Sequence, residues 1–264
     1  MHRQRLVSAL LLVPAFLLLV HYGTPLHFSL VVGLAIALGA WEFARLCPVG
    51  GDRLLAGSTV VGALAWQAAL LWGVSVAPVA VALAGLGLVR AMASPPAFRD
   101  HVIRAAWGLL GVAYLGGMLG TASLVRSLPE GRQFVYYLAC TTWAADTAAY
   151  YIGSRLGRRP LHPAVSPRKT VEGAAGALAA ILIVAVGGAP WAWPRLGWAA
   201  AAGVGLLLGV VGIVGDLCES ALKRAAAVKD SGGIIPGHGG ILDRLDSLIF
   251  ACPVFYLLVW AGWL

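Results

Sequence analysis

The chain has 264 residues, of which 60% are hydrophobic and only 11% are charged. Soluble domains carry about 25% charged residues, so this composition excludes an ordinary soluble domain and indicates a polytopic membrane protein. The formal net charge of +8 does not indicate a nucleic-acid partner, because the basic residues lie in short segments between apolar runs, where membrane topology explains them better.

Nine apolar stretches approach the length of about 20 residues that a helix needs to cross a membrane. They predict an all-α fold, a polytopic transmembrane helical bundle of about nine spans. The predicted spans are residues 6–20, 27–46, 54–73, 76–95, 102–125, 134–154, 171–194, 197–222 and 242–263.

The distribution of basic residues predicts how these spans are oriented. Of the nineteen lysines and arginines, only Arg126, Arg132 and Arg195 fall in the segments on one side, and sixteen fall on the other. Cytoplasmic loops carry an excess of basic residues. We therefore expect a cytoplasmic N-terminus, an external C-terminus and a cytoplasmic segment 223–244, in a bacterial-type inner or cell membrane.

The first five spans carry little polar chemistry, apart from Glu42 in the second. An acid inside a membrane span is by default a candidate functional residue. The alternative is an ion pair with Arg45, about one helical turn away. We favour that ion pair.

The sixth span has one polar and aromatic face. Trp143, Asp146 and Tyr150 recur there at helical spacing, and Asp146 interrupts an uncharged segment. An aromatic stripe alone is more typical of core packing, whereas the acid favours a functional face.

The loop before the seventh span reads Ser-Pro-Arg-Lys-Thr-Val-Glu-Gly over residues 166–173. Thr170 is predicted to cap a helix that begins near Val171. The helix N-terminus together with Arg168 and Lys169 would bind an anion. The alternative is a basic loop that only fixes the topology.

Residues 212–247 hold five of the eleven carboxylates in the chain. Asp216, Glu219, Ser220 and Lys223 follow helical spacing, so they share one face of a helix. That face cannot point at lipid.

The segment that follows, residues 231–240, contains five glycines, one proline and His238. This composition breaks a helix and lets backbone N–H groups approach an anion. A helix is predicted to restart near Ile241, with Asp243 and Asp246 about one turn apart and Arg244 between them.

Carboxylates without a cysteine or histidine cluster suit a hard cation such as Mg²⁺. Basic residues in the same segment supply the positive charge that phosphates need. Acids, bases and a glycine loop together indicate phosphoryl or nucleotidyl transfer. The sequence has no G-x-x-x-x-G-K-[ST] phosphate loop, which disfavours a P-loop ATPase.

The run Ser220-x-Leu222-Lys223-Arg224-x4-Lys229-Asp230-x-Gly232-x2-Ile235-Pro236-Gly237-His238-Gly239-Gly240-x-Leu242-Asp243-Arg244-x-Asp246 closely resembles the signature of the phosphatidate cytidylyltransferases, the CDP-diacylglycerol synthases. Residues 143–153 and 166–173 resemble two further blocks of that family. The resemblance implies transfer of CMP from CTP to phosphatidate, giving CDP-diacylglycerol and pyrophosphate in phospholipid biosynthesis. It also implies a homodimer among membrane lipids.

In that reaction we expect Asp216 and Asp243 to be the leading Mg²⁺ ligands, with Asp246 and Asp146 as further ligands or outer acids, and with or without a second cation. The expected catalytic residues, which hold phosphates, are Lys223, Arg224, Lys229, His238 and Arg244. The expected substrate-binding residues are Ser166, Arg168, Lys169, Thr170, Glu172, Ser220, Gly237, Gly239 and Gly240.

Two alternatives remain open. One is a related nucleotide-dependent membrane enzyme of the polyprenol or phytol kinase type. The other is an anion transporter with coupling-ion sites at Asp146 and Asp216, which the concentration of charge at one face disfavours. The predicted organisation is a single integral-membrane domain, residues 1–264. It comprises scaffold and lipid-facing spans at 1–130, catalytic spans and cytoplasmic loops at 134–247, and the last span at 248–264.

Overall fold

The computed structural model describes residues 2–93, 97–234 and 239–262, with side chains from residue 10 onward. The helices in this part of the chain are α1 (His2–Tyr22), α2 (Pro25–Arg45), α3 (Arg53–Trp72), α4 (Ala77–Met92), α5 (Phe98–Gly111), α6 (Thr121–Ser127), α7 (Gly131–Leu156), α8 (Val171–Ala192), α9 (Trp198–Ala225) and α10 (Leu242–Trp260). A π-helical segment, Val112–Leu119, links α5 to α6. Two short strands, β1 (Pro160–His162) and β2 (Ser166–Thr170), form an antiparallel hairpin.

The all-α prediction is confirmed, with the hairpin as a small addition that the sequence did not indicate. The described part of each predicted span lies mostly on a helix, and the span at 102–125 lies within the continuous helix Phe98–Ser127. Five helices in the described part of the chain are long and apolar enough to cross a membrane: α2, α3, Phe98–Ser127, α8 and α9. The count of nine spans stays a prediction.

Local signals in the sequence fix several helix ends. Asp52 caps α3, since its carboxylate accepts a hydrogen bond from the Leu55 N–H at 2.8 Å. Gly73 ends α3 with a φ of 65°, a conformation that favours glycine. Thr170 caps α8 by accepting a hydrogen bond from the Gly173 N–H at 3.1 Å, which confirms the predicted cap.

The described chain divides into two compact units. Unit 1 comprises Met1–Leu124 and Leu222–Arg244, and unit 2 comprises Val125–Ala221 and Leu245–Leu264. Along the chain, α9 and α10 each begin in one unit and end in the other. The single-domain organisation over residues 1–264 stays a prediction.

In unit 1 the core lies where α2, α3 and the π-helical segment pack together. Phe43, which is fully buried, stacks on Trp107 with ring centroids 5.0 Å apart. Gln67 is a buried polar residue whose amide donates hydrogen bonds to the Ser29 carbonyl and the Ser123 hydroxyl, both at 3.0 Å. These bonds satisfy a polar group that would otherwise be costly to bury.

In unit 2, α7 packs along α8, and α9 approaches α8 closely. A Cβ on Gly205 would lie 2.5 Å from the Ala185 side chain, so only a glycine allows this separation. Such small-residue contacts are typical of helix packing in membranes. Phe255 of α10 completes the core beside Phe134, with ring centroids 5.5 Å apart.

Candidate active site

Three acids of unit 2 converge to form what we call the acidic cluster: Asp216 and Glu219 of α9 and Asp246 of α10. One carboxylate oxygen from each lies within 4.8 Å of the others. Glu219 is 1% exposed, whereas Asp216 and Asp246 are partly exposed. Asp216 and Asp243 were the leading metal ligands predicted from the sequence, with Asp246 and Asp146 as further ones. In the structure Asp216 lies beside Glu219 and Asp246.

A glycine of α9 makes this convergence possible. A Cβ on Gly215 would lie 2.7 Å from the Asp246 carbonyl oxygen and 2.9 Å from the Phe250 ring. Any other residue there would separate the two helices, because real Cβ atoms do not approach a backbone atom so closely.

The acidic cluster could hold a metal ion. Ionised carboxylates this close repel one another in a partly buried site, and a bound cation relieves the repulsion. All the donor atoms are oxygens, which is the donor set that hard divalent cations prefer.

Lys169 of β2 contacts the acidic cluster. Its ammonium group pairs with the Asp216 carboxylate and donates a hydrogen bond to the Ser220 hydroxyl at 3.3 Å. The structure thus brings together two predicted substrate-binding residues, Lys169 and Ser220, with one predicted metal ligand. Lys169 balances one of the negative charges of the cluster.

The β1–β2 hairpin is held at its base by Glu172. The Glu172 carboxylate accepts hydrogen bonds from the N–H groups of Arg158 at 3.0 Å and Arg159 at 3.2 Å. These bonds and the Thr170 cap fix the hairpin against the start of α8. Ser166 and Arg168 lie on β2, where Arg168 is exposed.

A second group of polar residues lies in unit 1, around Asp243. Lys223 donates to Asp243 Oδ1 at 2.7 Å. Asp243 Oδ2 accepts from the Ser231 N–H at 3.1 Å, from the Ser231 hydroxyl at 2.9 Å and from the Gly240 N–H at 2.9 Å. Both oxygens of Asp243 are therefore engaged by donors within the protein.

Glu42 of α2 belongs to the same group, and its predicted ion pair with Arg45 is wrong. Glu42 is 3% exposed, and its Oε2 accepts a hydrogen bond from the Leu242 N–H at 3.1 Å. The single proton of the Ser231 hydroxyl is shared between Glu42 Oε2 at 3.3 Å and Asp243 Oδ2 at 2.9 Å. Arg45 is exposed. The start of α10 and Ser231 donate to Oε2 instead, whereas the buried Oε1 has no hydrogen-bond partner among the described residues. An acid in an apolar run signalled Glu42, but nothing local identified partners 189 and 200 residues away.

The other predicted acid and bases are distributed as follows. Asp146 is exposed on α7 and is not part of the acidic cluster. Arg224 donates a hydrogen bond to the Val228 carbonyl at 3.2 Å. Lys229 and Arg244 are exposed.

Among the predicted glycine-loop residues, Gly239 has a φ of 83°, which favours glycine, and a Cβ there would lie 2.8 Å from Asp243 Oδ2. Gly240 donates to the same oxygen. Gly237 and His238 lie outside the described residues.

The fold and the acidic cluster define a helical membrane protein with carboxylates that could hold a metal ion. The model of the cytidylyltransferase family matches residues 3–261. The chain belongs to the cytidylyltransferase family.

Individual relatives carry the name phosphatidate cytidylyltransferase. The chain is 35% identical over 272 residues to the Pseudomonas aeruginosa protein of that name, covering 100% of this chain and 99% of the relative. It is 42% identical over 151 residues to the Bacillus subtilis protein, covering 57% of this chain and 56% of the relative. It is 41% identical over 161 residues to the Staphylococcus aureus (strain COL) protein, covering 61% of each. The chain therefore spans less than two thirds of the last two relatives' length.

Proposed function

We propose that this protein is a phosphatidate cytidylyltransferase, which transfers CMP from CTP to phosphatidate and releases pyrophosphate. Family membership and the full-length similarity to the Pseudomonas aeruginosa protein support this assignment. The structural observation that carries it is the acidic cluster, with Lys169 against Asp216 and Ser220.

The reaction needs no nucleophile from the protein. A phosphate oxygen of phosphatidate attacks the α-phosphorus of CTP, and the bond from that phosphorus to the bridging oxygen breaks. Pyrophosphate leaves with the electron pair. A phosphate monoester is already ionised near neutral pH, so the protein's task is to align the two phosphates and to stabilise the developing charge.

We assign Asp216, Glu219 and Asp246 as the residues that hold Mg²⁺, with or without a second cation. When bound, Mg²⁺ supplies positive charge for the phosphates of CTP. Lys169 lies where it can exchange its carboxylate partner for a phosphate oxygen, with Ser220 beside it to orient the ammonium group. The basic residues predicted from the sequence keep their proposed role in holding phosphates: Lys223, Arg224, Lys229, His238 and Arg244.

A labelled-phosphate assay tests this proposal. Purified protein in detergent receives CTP labelled at the γ-phosphate, with phosphatidate and Mg²⁺ each added or withheld. A cytidylyltransferase releases the label as pyrophosphate only when both are present. A lipid kinase would instead place the label in the lipid fraction when a polyprenol or phytol is supplied. Folded protein that yields neither product contradicts an enzymatic role for this chain.

We further propose that nine helices cross the membrane, with the N-terminus and the active site at the cytoplasmic face, and that the protein is a homodimer. The nine apolar runs of the sequence support the span count, and the uneven distribution of lysine and arginine supports the orientation. The five long apolar helices support membrane crossing as such. Single cysteines replacing Arg158 or Arg195 in a cysteine-free variant test it. An impermeant thiol reagent should label position 195 in intact cells and position 158 only after lysis, and the reverse pattern refutes the orientation.

A further inference from the structure

Glu42 connects α2 to two parts of the chain that flank residues 235–238. Its carboxylate accepts a hydrogen bond from the Ser231 hydroxyl on one side and from the Leu242 N–H on the other. We call the described residues 231–234 and 239–240 the glycine segment. The buried carboxylate thus ties both ends of the glycine segment to α2.

Two glycines of this segment lie directly against Glu42. A Cβ on Gly232 would be 2.3 Å from Glu42 Oε1, and a Cβ on Gly240 would be 2.5 Å from Oε2. The Glu42 carboxylate fills the space that a side chain would occupy at Gly232, and the carboxylate together with the Ser231 hydroxyl fills it at Gly240. Neither residue has a positive φ, so backbone conformation does not require glycine here. Glycine is needed because the carboxylate lies so close to the backbone.

A carboxylate buried among apolar helices is costly unless it is hydrogen-bonded. The Leu242 N–H meets this need for Oε2 at the first residue of α10, where the helix leaves unsatisfied N–H groups and a partial positive charge. Glu42 and the start of α10 therefore stabilise each other, and the contact fixes where α10 begins.

The Ser231 hydroxyl links this contact to a predicted phosphate-binding residue. It lies 3.3 Å from Glu42 Oε2 and 2.9 Å from Asp243 Oδ2, and Asp243 in turn holds the Lys223 ammonium group at 2.7 Å. A chain of hydrogen bonds thus connects Glu42 through Ser231 and Asp243 to Lys223.

We propose that Glu42 is a positioning residue for substrate binding, which acts by holding the glycine segment and, through Asp243, the ammonium group of Lys223. The proposal rests on the proposed function, because it assigns these groups to binding the phosphates of CTP. Glu42 does not itself contact substrate. Its removal is expected to weaken CTP binding more than it slows turnover.

The first test is Glu42→Gln. Glutamine has the same size, but it offers one acceptor oxygen and adds a donor beside Gly232 and Gly240. Loss of a hydrogen bond to a charged group predicts an increase of about tenfold in the KM for CTP, with kcat changed less than about twofold. If Glu42 only stabilised the fold, its substitution would lower the fraction of folded enzyme, and therefore kcat, at an unchanged KM. That result would overturn the proposal, and so would KM and kcat values equal to those of wild type.

Asp52→Asn provides the matched control. Asp52 is another acid of unit 1, and it caps α3. The hydrogen-bond and ion-pair partners of its carboxylate among the described residues are Leu55, Arg90 and Arg104, all outside the glycine segment. Its substitution should leave both KM and kcat of the folded protein unchanged. A KM increase equal to that of Glu42→Gln would mean that any lost acid in unit 1 has this effect, and the specific role of Glu42 would be rejected.

A substitution at Gly232 keeps the proposal testable if Glu42→Gln does not fold, because wild-type KM in Gly232→Ala would overturn it; a double-mutant cycle with Glu42→Ala adds a second test. Gly232→Ala should also raise the KM for CTP, because its methyl group displaces the Glu42 carboxylate. In a Glu42→Ala background the same substitution should have little further effect, since the methyl group enters vacated space. Multiplicative effects of the two changes would show that Gly232 and Glu42 act independently and would overturn the mechanism.

A readout other than activity separates this proposal from the proposed function. Hydrogen exchange at the Leu242 amide should be faster in Glu42→Gln than in wild type, and unchanged in Asp52→Asn. Wild-type protein that releases no pyrophosphate refutes the proposed function, and with it the substrate-binding role. Active wild-type protein with an unchanged Leu242 amide and an unchanged KM in Glu42→Gln refutes the positioning role alone.

Discussion

The two groups of acids differ in what surrounds their carboxylates. In the acidic cluster of unit 2, three carboxylates face one another, with one oxygen of each within 4.8 Å of the others. In unit 1, Glu42 and Asp243 face backbone N–H groups, a hydroxyl and the ammonium group of Lys223.

Burial alone does not distinguish these groups, because Glu219 is 1% exposed and Glu42 is 3% exposed. The groups that surround the carboxylates distinguish them. Carboxylates turned toward one another retain unfavourable repulsion that a cation relieves, whereas carboxylates turned toward donors are already stabilised by the protein. The first arrangement suits binding of an ion, and the second suits holding chain segments in place.

The largest effect is expected in the acidic cluster. Asp246→Asn and Glu219→Gln should each lower kcat by at least about 10²-fold, because each removes a charged group that supports charge stabilisation in the transition state. Without metal, each variant should be at least as thermally stable as metal-free wild type, because one carboxylate fewer lowers the repulsion within the acidic cluster. Activity assays and unfolding in detergent with a chelator measure both effects.

The exposed acid Glu130 provides the control for this prediction, since Glu130→Gln removes one negative charge from unit 2 outside the cluster. Its kinetics should match wild type. If Asp246→Asn lost stability without metal and kept its activity, the acidic cluster would be structural and the contrast between the two groups would disappear.

For Asp243→Asn in unit 1, a loss of thermal stability is expected. The side chains of Lys223 and Asp243 are 13% and 9% exposed, and removal of one partner from a buried ion pair costs about 3 kcal/mol because the other charge remains buried. Thermal unfolding should show this loss even without metal. Unchanged stability together with a raised Mg²⁺ requirement would instead place Asp243 among the metal ligands, as its sequence position predicted.

The sequence predicted those parts of the structure that depend on local signals. Apolar runs placed the helices, and Thr170 marked the start of α8 because a capping hydroxyl acts on an N–H three residues away. The helical spacing of Asp216, Glu219 and Ser220 correctly placed them on one helix, α9.

Contacts between distant segments were not predictable in this way. Asp243 and Asp246 are about one turn apart on α10, so spacing alone could not show which of them meets Asp216. Lys169 reaches Asp216 through a hairpin that the sequence did not indicate. Glu42 joins residues almost at the other end of the chain, and only the packing of helices determines that contact.

Gly215 tests whether helix separation controls the acidic cluster. Gly215→Ala should cost about 2 kcal/mol of stability, because its methyl group would overlap the Asp246 carbonyl and the Phe250 ring. Gly203→Ala is the matched control on the same helix, because an added Cβ there would meet none of the described residues outside its own stretch of helix within 4 Å. It should stabilise α9 by up to about 1 kcal/mol. Equal effects of the two changes would show that close packing at Gly215 does not matter.

The smallest effect is expected at Asp52, an acid outside both groups. Its substitution measures how much one partly exposed charge contributes to the free energy of unfolding. Hydrogen bonding to Arg90 lowers the pKa of Asp52 from 3.8 to about 2. A pKa that is lower in the folded protein adds stability above about pH 4, and this stability is lost as the pH falls toward 2.

Asparagine caps a helix as well as aspartate does, so Asp52→Asn isolates the charge. With a third of the side chain exposed, the loss should stay below about 1 kcal/mol. Melting temperatures of wild type and Asp52→Asn should therefore differ at pH 6 and converge at pH 2. A difference independent of pH would mean that the aspartate acts through packing rather than charge.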